Sequence, residues 1–203
     1  MRKYVLLLGL VLSFEASAAS EGWKNCDDEG TANCEYQIKD GVLTIRGTGE
    51  NGAGTIPDYS RDCSMTRYHE CTTPAPWKWD ENANTVTSLK IENGITSIGE
   101  DAFEDMPFTT AQLPDTLTSI KEKAFIECNT LSSVNLPSQL RDIGNSAFAG
   151  PVLMNVVIPE GTEENPTIVG NAAFRPRMKS GYDPVLMESF VVGDNTILDE
   201  NAL

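Results

Sequence analysis

The hydrophobic positions of the C-terminal half repeat one phrase, in which an aliphatic residue is followed four and five positions later by alanine and phenylalanine. Four copies are complete and a fifth ends in leucine: Ile98–Phe103, Ile120–Phe125, Ile143–Phe148, Val169–Phe174 and Leu198–Leu203. The last residues of successive copies lie 22, 23, 26 and 29 positions apart. A period of this length indicates a repeat architecture, in which units stack because each is too small to bury its apolar side alone.

A second pattern precedes these copies and predicts a strand. Its apolar positions include a pair two residues apart, as in Val86–Ile91, Leu131–Leu136 and Leu153–Ile158. Residues two apart on a strand share a face, so their neighbours point the other way. The predicted outward residues are Ser88, Lys90, Thr110, Gln112, Ser133, Asn135, Asn155 and Val157. Proline follows at positions 114, 137 and 159, where it ends strand pairing and turns the chain.

We therefore expect a mainly β or α/β solenoid with one parallel sheet on its concave side. The phrase that ends in phenylalanine would form the opposite wall. Its alanine permits close approach of the chain, and its phenylalanine fills the interior between turns. The two longest spacings predict loop insertions near Thr162–Pro166 and Arg175–Pro184.

Two phrases closely resemble the BspA-like leucine-rich repeats. They are L-P-x-x-L-x-x-I-G-x-x-A-F over Leu136–Phe148 and C-x-x-L-x-x-V-x-L-P over Cys128–Pro137. The segment Gly41–Gly49, with Tyr59 and Ala75–Trp77, resembles the N-terminal segment of that family. The resemblance implies a secreted or surface-attached protein of a bacterium or protist. Several members are implicated in adhesion to host matrix glycoproteins and to other cells.

The N-terminus predicts export. Arg2 and Lys3 precede the apolar stretch Tyr4–Phe14, and Ala16–Ala18 has the form of a cleavage site. Residues 1–18 are therefore predicted to be a secretory signal peptide. Residues 19–84 would form an N-terminal β cap with a hairpin turning at Asp40-Gly41, and residues 85–203 the solenoid, with about five repeats and the last incomplete.

Four of the five cysteines lie in the predicted cap. In an exported chain they are expected to form disulfides, and the equal spacing of Cys26 from Cys34 and of Cys63 from Cys71 favours local pairing among three connectivities. Zinc is the rival interpretation, disfavoured because no C-x-x-C pair occurs. The remaining cysteine, Cys128, occupies a small repeat position that is expected to be buried.

The composition of the chain argues against several classes of function. The chain has 203 residues, with 30 acidic and 15 basic side chains and a net charge of −15, which argues against nucleic-acid binding. The single histidine, His69, cannot supply a metal site that needs several imidazoles. No apolar run is long enough for a transmembrane helix. Gly47–Gly52 spells G-x-G-x-x-G, but the residues after it are poor helix formers, so a turn is expected and no cofactor is predicted.

These observations favour a secreted or cell-surface binding protein. Its predicted partner is a protein or glycoprotein held along the concave face, and the outward residues named above are the candidate contacts. The alternative is a structural role, either as part of a longer repeat protein or through self-association at the C-terminal end, where no cap is recognised. No constellation for catalysis is found, so no enzymatic activity is expected.

Overall fold

The computed structural model describes residues 22–27, 29–60, 74–151, 153–176 and 187–203. The predicted signal peptide lies outside these residues. The described part is mainly β, with short turns of 3-10 helix at Glu50–Gly52, Pro76–Lys78 and Ala83–Thr85. The first of these turns lies in the glycine-rich segment, which is a turn as expected.

The described residues form thirteen strands, most of them two to four residues long. In chain order they are β1 Lys24–Asn25, β2 Cys34–Lys39, β3 Val42–Gly47, β4 Ser88–Ile91, β5 Ser97–Ile98, β6 Thr110–Gln112, β7 Ser119–Ile120, β8 Ser133–Val134, β9 Asp142–Ile143, β10 Asn155–Ile158, β11 Thr167–Val169, β12 Ser189–Val192 and β13 Thr196–Leu198.

The main sheet has the strand order β1-β2-β3-β4-β6-β8, and it is parallel from β3 onward. Strands β10 and β12 form a further parallel pair. The backbone N–H of Met154 donates to the carbonyl oxygen of Ser132 at 3.3 Å, so the same ladder continues from one group to the other. This arrangement confirms the repeat solenoid that the sequence predicted.

A second parallel sheet, which the sequence analysis did not anticipate, forms the opposite wall. Its order is β13-β11-β9-β7-β5. The aliphatic residue that begins each phrase points inward from this sheet, and Ile98, Ile120, Ile143 and Val169 are completely buried. Each turn of the chain therefore contributes one strand to each sheet, and the core lies between them.

A column of stacked phenylalanine rings fills this core. Phe103, Phe125, Phe148 and Phe174 are at most 2% exposed, and their successive ring centroids lie 5.1, 4.9 and 5.3 Å apart. The predicted interior role of these residues is confirmed. Leu203, in the fifth copy, is 58% exposed and does not join the column.

Residues 42–59 add one more turn before the first repeat. Asp40 and Gly41 have φ angles of 51° and 78°, the left-handed turn that an antiparallel hairpin of β2 and β3 requires. Strand β3 then pairs in parallel with β4. The N–H of Ile56 donates to the carbonyl oxygen of Ser97 at 2.9 Å, so the following segment lies along the second sheet. The chain thus follows the course of a repeat before the repeat phrase begins.

Candidate binding surface

The outward side chains of the main sheet form a first row across the strands. Ser88 lies opposite Thr110, and Thr110 lies opposite Ser133. Asn155 lies opposite Ser189 on the next pair of strands. Because neighbouring strands are about 4.8 Å apart, this row presents one small polar side chain per turn.

A second row runs parallel to the first, two residues further along each strand. Thr44, Lys90 and Gln112 are in register. Val157 and Val191 are in register at the other end. The predicted contact Asn135 follows strand β8 and is exposed.

Exposure separates the two sides of the main sheet. Ser88 is half-buried, and the other predicted contact residues are exposed. The alternate positions Leu89, Ala111, Val134 and Val156 are buried, at 8% exposure or less. The structure therefore brings the predicted contact residues together on one solvent-facing surface, which we call the outer face.

Most polar groups of the outer face are available to a ligand. The Thr110 hydroxyl donates to the Ser88 hydroxyl at 3.2 Å, and Lys90 Nζ lies 3.6 Å from a carboxylate oxygen of Glu92. The side chains of the following group form no hydrogen bond within the described part of the chain: Gln112, Ser133, Asn135 and Asn155. Amide and hydroxyl groups both donate and accept, so this surface suits recognition of exposed backbone or hydroxyl-rich groups.

The N-terminal end of the outer face is closed by a side-chain cluster. Arg46 forms an ion pair with Glu35, and its guanidinium lies 3.8 Å from the centroid of the Trp23 ring. This cover leaves Glu35 only 8% exposed.

Sequence reasoning missed several residues at the two ends of this surface. Thr44 belongs to the cap hairpin, whose membership of the main sheet is visible only in the strand register. Ser189 and Val191 lie on β12, after the predicted insertion. The alternation within Ser189–Val192 is the signal that could have extended both rows to this strand.

The structure describes two of the four cysteines that were predicted to form disulfides. Cys26 and Cys34 form a disulfide and are completely buried, so the local pairing is present and neither is a zinc ligand. Cys63, Cys71 and His69 lie outside the described residues. Among the residues that are described, no group of three or more His, Cys, Asp or Glu side chains is arranged to hold a metal ion, and no helix is long and apolar enough to cross a bilayer.

Cys128 is buried, as expected. Its thiol donates to the carbonyl oxygen of Phe103 at 2.9 Å. Burial raises the pKa of this thiol to about 12, so the reactive thiolate is scarcely populated at neutral pH. Cys128 therefore fills space between turns.

The fold and its rows of outward side chains define a leucine-rich-repeat solenoid. Six copies of the BspA type leucine rich repeat region match residues 81–178. This part of the chain is therefore a BspA-type leucine-rich repeat region.

Solved structures of bacterial leucine-rich repeat proteins are similar to this chain. One from Eubacterium ventriosum is 28% identical with a TM-score of 0.55, and the match covers 70% of this chain and 33% of that one. Another, from Bacteroides ovatus, is 25% identical with a TM-score of 0.43, covering 70% and 37%. A leucine-rich repeat protein of T. pallidum is 18% identical with a TM-score of 0.45, and the match covers 87% of this chain and 84% of that one. The chain thus spans about a third of the length of the first two. Among curated proteins, none matches it.

Proposed function

We propose that this chain is a secreted or surface-exposed binding module, without catalytic activity, that holds a protein or glycoprotein partner along its outer face. The observation that carries the proposal is the first row, in which Ser88, Thr110 and Ser133 stand in register on adjacent strands. A ligand that crosses the strands meets a chemically similar group at every turn. Such periodic contact is how repeat proteins use extended surfaces.

The chemistry of the outer face supports a polar, hydrogen-bonding interface. Its first-row residues Ser88, Thr110 and Ser133 are short, so they lose little conformational entropy when a ligand orders them. Val157 and Val191 add an apolar pair at one end, 59% and 49% exposed. Apolar anchors surrounded by polar groups are typical of protein-binding surfaces.

Export is supported by the disulfide and by the family. Disulfides persist in oxidising compartments and are rare in the cytosol, and Cys26–Cys34 is such a bond. BspA-type leucine-rich repeat proteins are commonly found at the surface or secreted. Adhesion to a host or matrix glycoprotein is the role we propose on these grounds.

A binding panel tests the proposal. Oxidised residues 19–203 are measured against immobilised fibronectin and fibrinogen at physiological salt, beside a variant carrying Thr110→Lys, Ser133→Glu and Asn155→Lys. Alternating the sign of the charges avoids repulsion between neighbouring strands. A matched control places the same charges in connecting turns, as Asn84→Lys, Ser138→Glu and Gln139→Lys.

Saturable binding that weakens about tenfold or more in the outer-face variant, and not in the control, is the expected result. Thermal unfolding verifies that both variants are folded. Equal binding by all three proteins would show that the outer face is not the site.

A second candidate function is association through the last described turn. Val192 and Leu198 are both 40% exposed, whereas the residues in register with them, Ile158 and Val169, are completely buried. Such an exposed apolar edge favours contact with further repeats or with another copy. Light scattering over a range of concentrations tests it: self-association should weaken in Val192→Lys, and a monomer at every concentration would exclude self-association.

A further inference from the structure

The second sheet carries a groove on its outward side. Asp142, Ile168 and Ile197 are in register on β9, β11 and β13 and form one border. Gly144, Gly170 and Asp199 directly follow these strands, two residues after the border positions, and also line the depression. The resulting depression has a volume of about 490 Å³, and we call it the flank groove.

The two glycines are required by close packing between turns. A Cβ at Gly144 would lie 2.5 Å from the backbone nitrogen of Glu122, and one at Gly170 would lie 2.6 Å from Oδ1 of Asn145. Real Cβ atoms do not approach so closely. Without side chains at these positions neighbouring turns approach closely, and the glycine backbone forms part of the groove floor.

The border of the flank groove changes character along the solenoid. Ser97 and Ser119 occupy the outward row on β5 and β7, where the row is polar. The same row becomes apolar at Ile168 and Ile197, which are 47% and 55% exposed. These two adjacent β-branched side chains form a small exposed apolar patch beside the glycines of the groove floor.

The charge of the flank groove is negative. Among the described residues that line it, the one lysine is Lys121, whose Nζ lies 2.9 Å from both carboxylate oxygens of Asp58. Within the described residues, the lining carboxylates Glu100, Asp142 and Asp199 form no ion pair. Neutral donors do reach two of them, from Ser119 to Asp142 and from Asn171 to Asp199.

We propose that the flank groove binds an extended, arginine-containing segment of a partner protein. The aliphatic stem of an arginine would pack on Ile168 and Ile197, while its guanidinium reaches Asp142 or Asp199. A site that combines exposed aliphatic side chains with carboxylates that form no ion pair within the described residues selects a residue that is apolar along its stem and cationic at its end. Arginine also donates in the fork geometry that matches a carboxylate.

The spacing of the carboxylates defines the segment. Asp142 and Asp199 are two strand spacings apart, and Asp199 lies two residues further along the strand direction, so the two positions are roughly 12 Å apart. In a polyproline II segment, residues three apart lie on the same side and about 9 Å apart. The long side chains of two arginines separated by two residues span the remaining difference, so such a segment reaches both acids.

Fluorescence anisotropy of a labelled peptide, acetyl-Gly-Arg-Pro-Val-Arg-Gly-amide, tests this inference on the purified protein at low salt. A peptide with citrulline in place of both arginines is the neutral control. The groove variant is Asp142→Asn with Asp199→Asn, which keeps the side-chain size and one oxygen acceptor at each position. The matched variant is Glu163→Gln with Glu164→Gln, which makes the same charge change on an exposed loop outside the groove.

We expect saturable binding of the arginine peptide, weakened about fivefold or more by the groove variant and unchanged within about twofold by the matched variant. Ile168→Ser should weaken binding further without changing its salt dependence. Equal loss in both double variants would show nonspecific attraction to an acidic protein, and equal binding of the citrulline peptide would show that charge is not recognised. Either result, or no saturable binding, overturns the proposal.

Discussion

The indole of Trp77 stacks on the ring of Phe103, with centroids 5.4 Å apart and planes inclined by 27°. Its Nε1–H donates to the carbonyl oxygen of Ala102 at 3.0 Å. Trp77 thus continues the phenylalanine column, which begins before the first repeat phrase. Its other neighbours are Tyr36 and Tyr59, which meet it edge-on.

Loss of the Trp77 ring should uncouple the cap from the repeats. We expect Trp77→Ala to lower the free energy of unfolding by about 3–5 kcal/mol, since the ring is completely buried and leaves a cavity. Trp79→Ala removes the same side chain where it is 69% exposed and should change stability by no more than about 0.5 kcal/mol. Urea unfolding measures both. Similar losses in the two variants would show that Trp77 is not a core residue.

The position two residues before each phenylalanine has a left-handed backbone conformation. It is occupied by Asp101, Lys123, Ser146 and Ala172, with φ between 52° and 54°. Alanine is strained there, so Ala172→Gly should stabilise the protein by about 1 kcal/mol. Ala173 is completely buried and its φ is not positive, so Ala173→Gly should cost roughly 0.5–1 kcal/mol. Thermal unfolding of the pair provides the comparison, and a shift of the same sign in both would contradict this explanation.

Asp101 makes stability depend on pH. Burial raises the pKa of its carboxyl to about 6, with Glu104 and Glu100 adding to the rise and Lys123 and Lys78 opposing it. The unfolded chain has a pKa of about 4 at this residue. The folded state therefore holds the proton more tightly, and the stability that protonation contributes is lost as the pH rises through about 6.

Asp101→Asn should stabilise the protein at neutral pH, because it removes the loss of stability that ionisation of the Asp101 carboxyl causes. The carboxyl is partly exposed, and solvent screening limits the gain to about 1 kcal/mol or less, which corresponds to a rise in Tm of about 2–4 °C at pH 7.5. The gain should shrink at pH 5, where the carboxyl is largely protonated in the folded state. A gain of equal size at both pH values would assign it to backbone conformation instead.

Cys128 should resist alkylation in the folded protein. Its thiol is buried and its pKa is raised to about 12. Trypsin releases it in a peptide spanning residues 124–141, which mass spectrometry can follow. We expect iodoacetamide at pH 8 to leave this peptide unmodified under native conditions and to modify it fully in urea. Rapid native modification would place the thiol at the surface.

The repeat phrase alone was sufficient to predict most of the fold. The spacing of Phe103, Phe125 and Phe148 gives the length of a turn, and alternation within each strand phrase identifies the inward residues. The second sheet was not predictable in this way, because strands such as Ser97–Ile98 have two residues and are too short to show alternation.

Other features depend on register between turns, which a single sequence does not display. Trp77 follows Ala75-Pro76 and lacks the aliphatic and alanine residues that precede phenylalanine in the repeat phrase. Its place in the aromatic column could therefore not be predicted from the sequence. The outward residues of the main sheet were predicted because each turn repeats the same alternation. The flank groove was not, since it arises where Gly144 and Gly170 meet the backbone of neighbouring turns.

Hydrogen exchange with bound fibronectin or fibrinogen tests the proposed outer face most directly. Backbone amides are compared in the free protein and in the complex formed at physiological salt. The account predicts protection that recurs once per turn, in residues 87–91, 109–113, 132–136 and 154–158, with the strands of the second sheet unchanged. Protection confined to the second sheet, with the main-sheet strands unaffected, would contradict it.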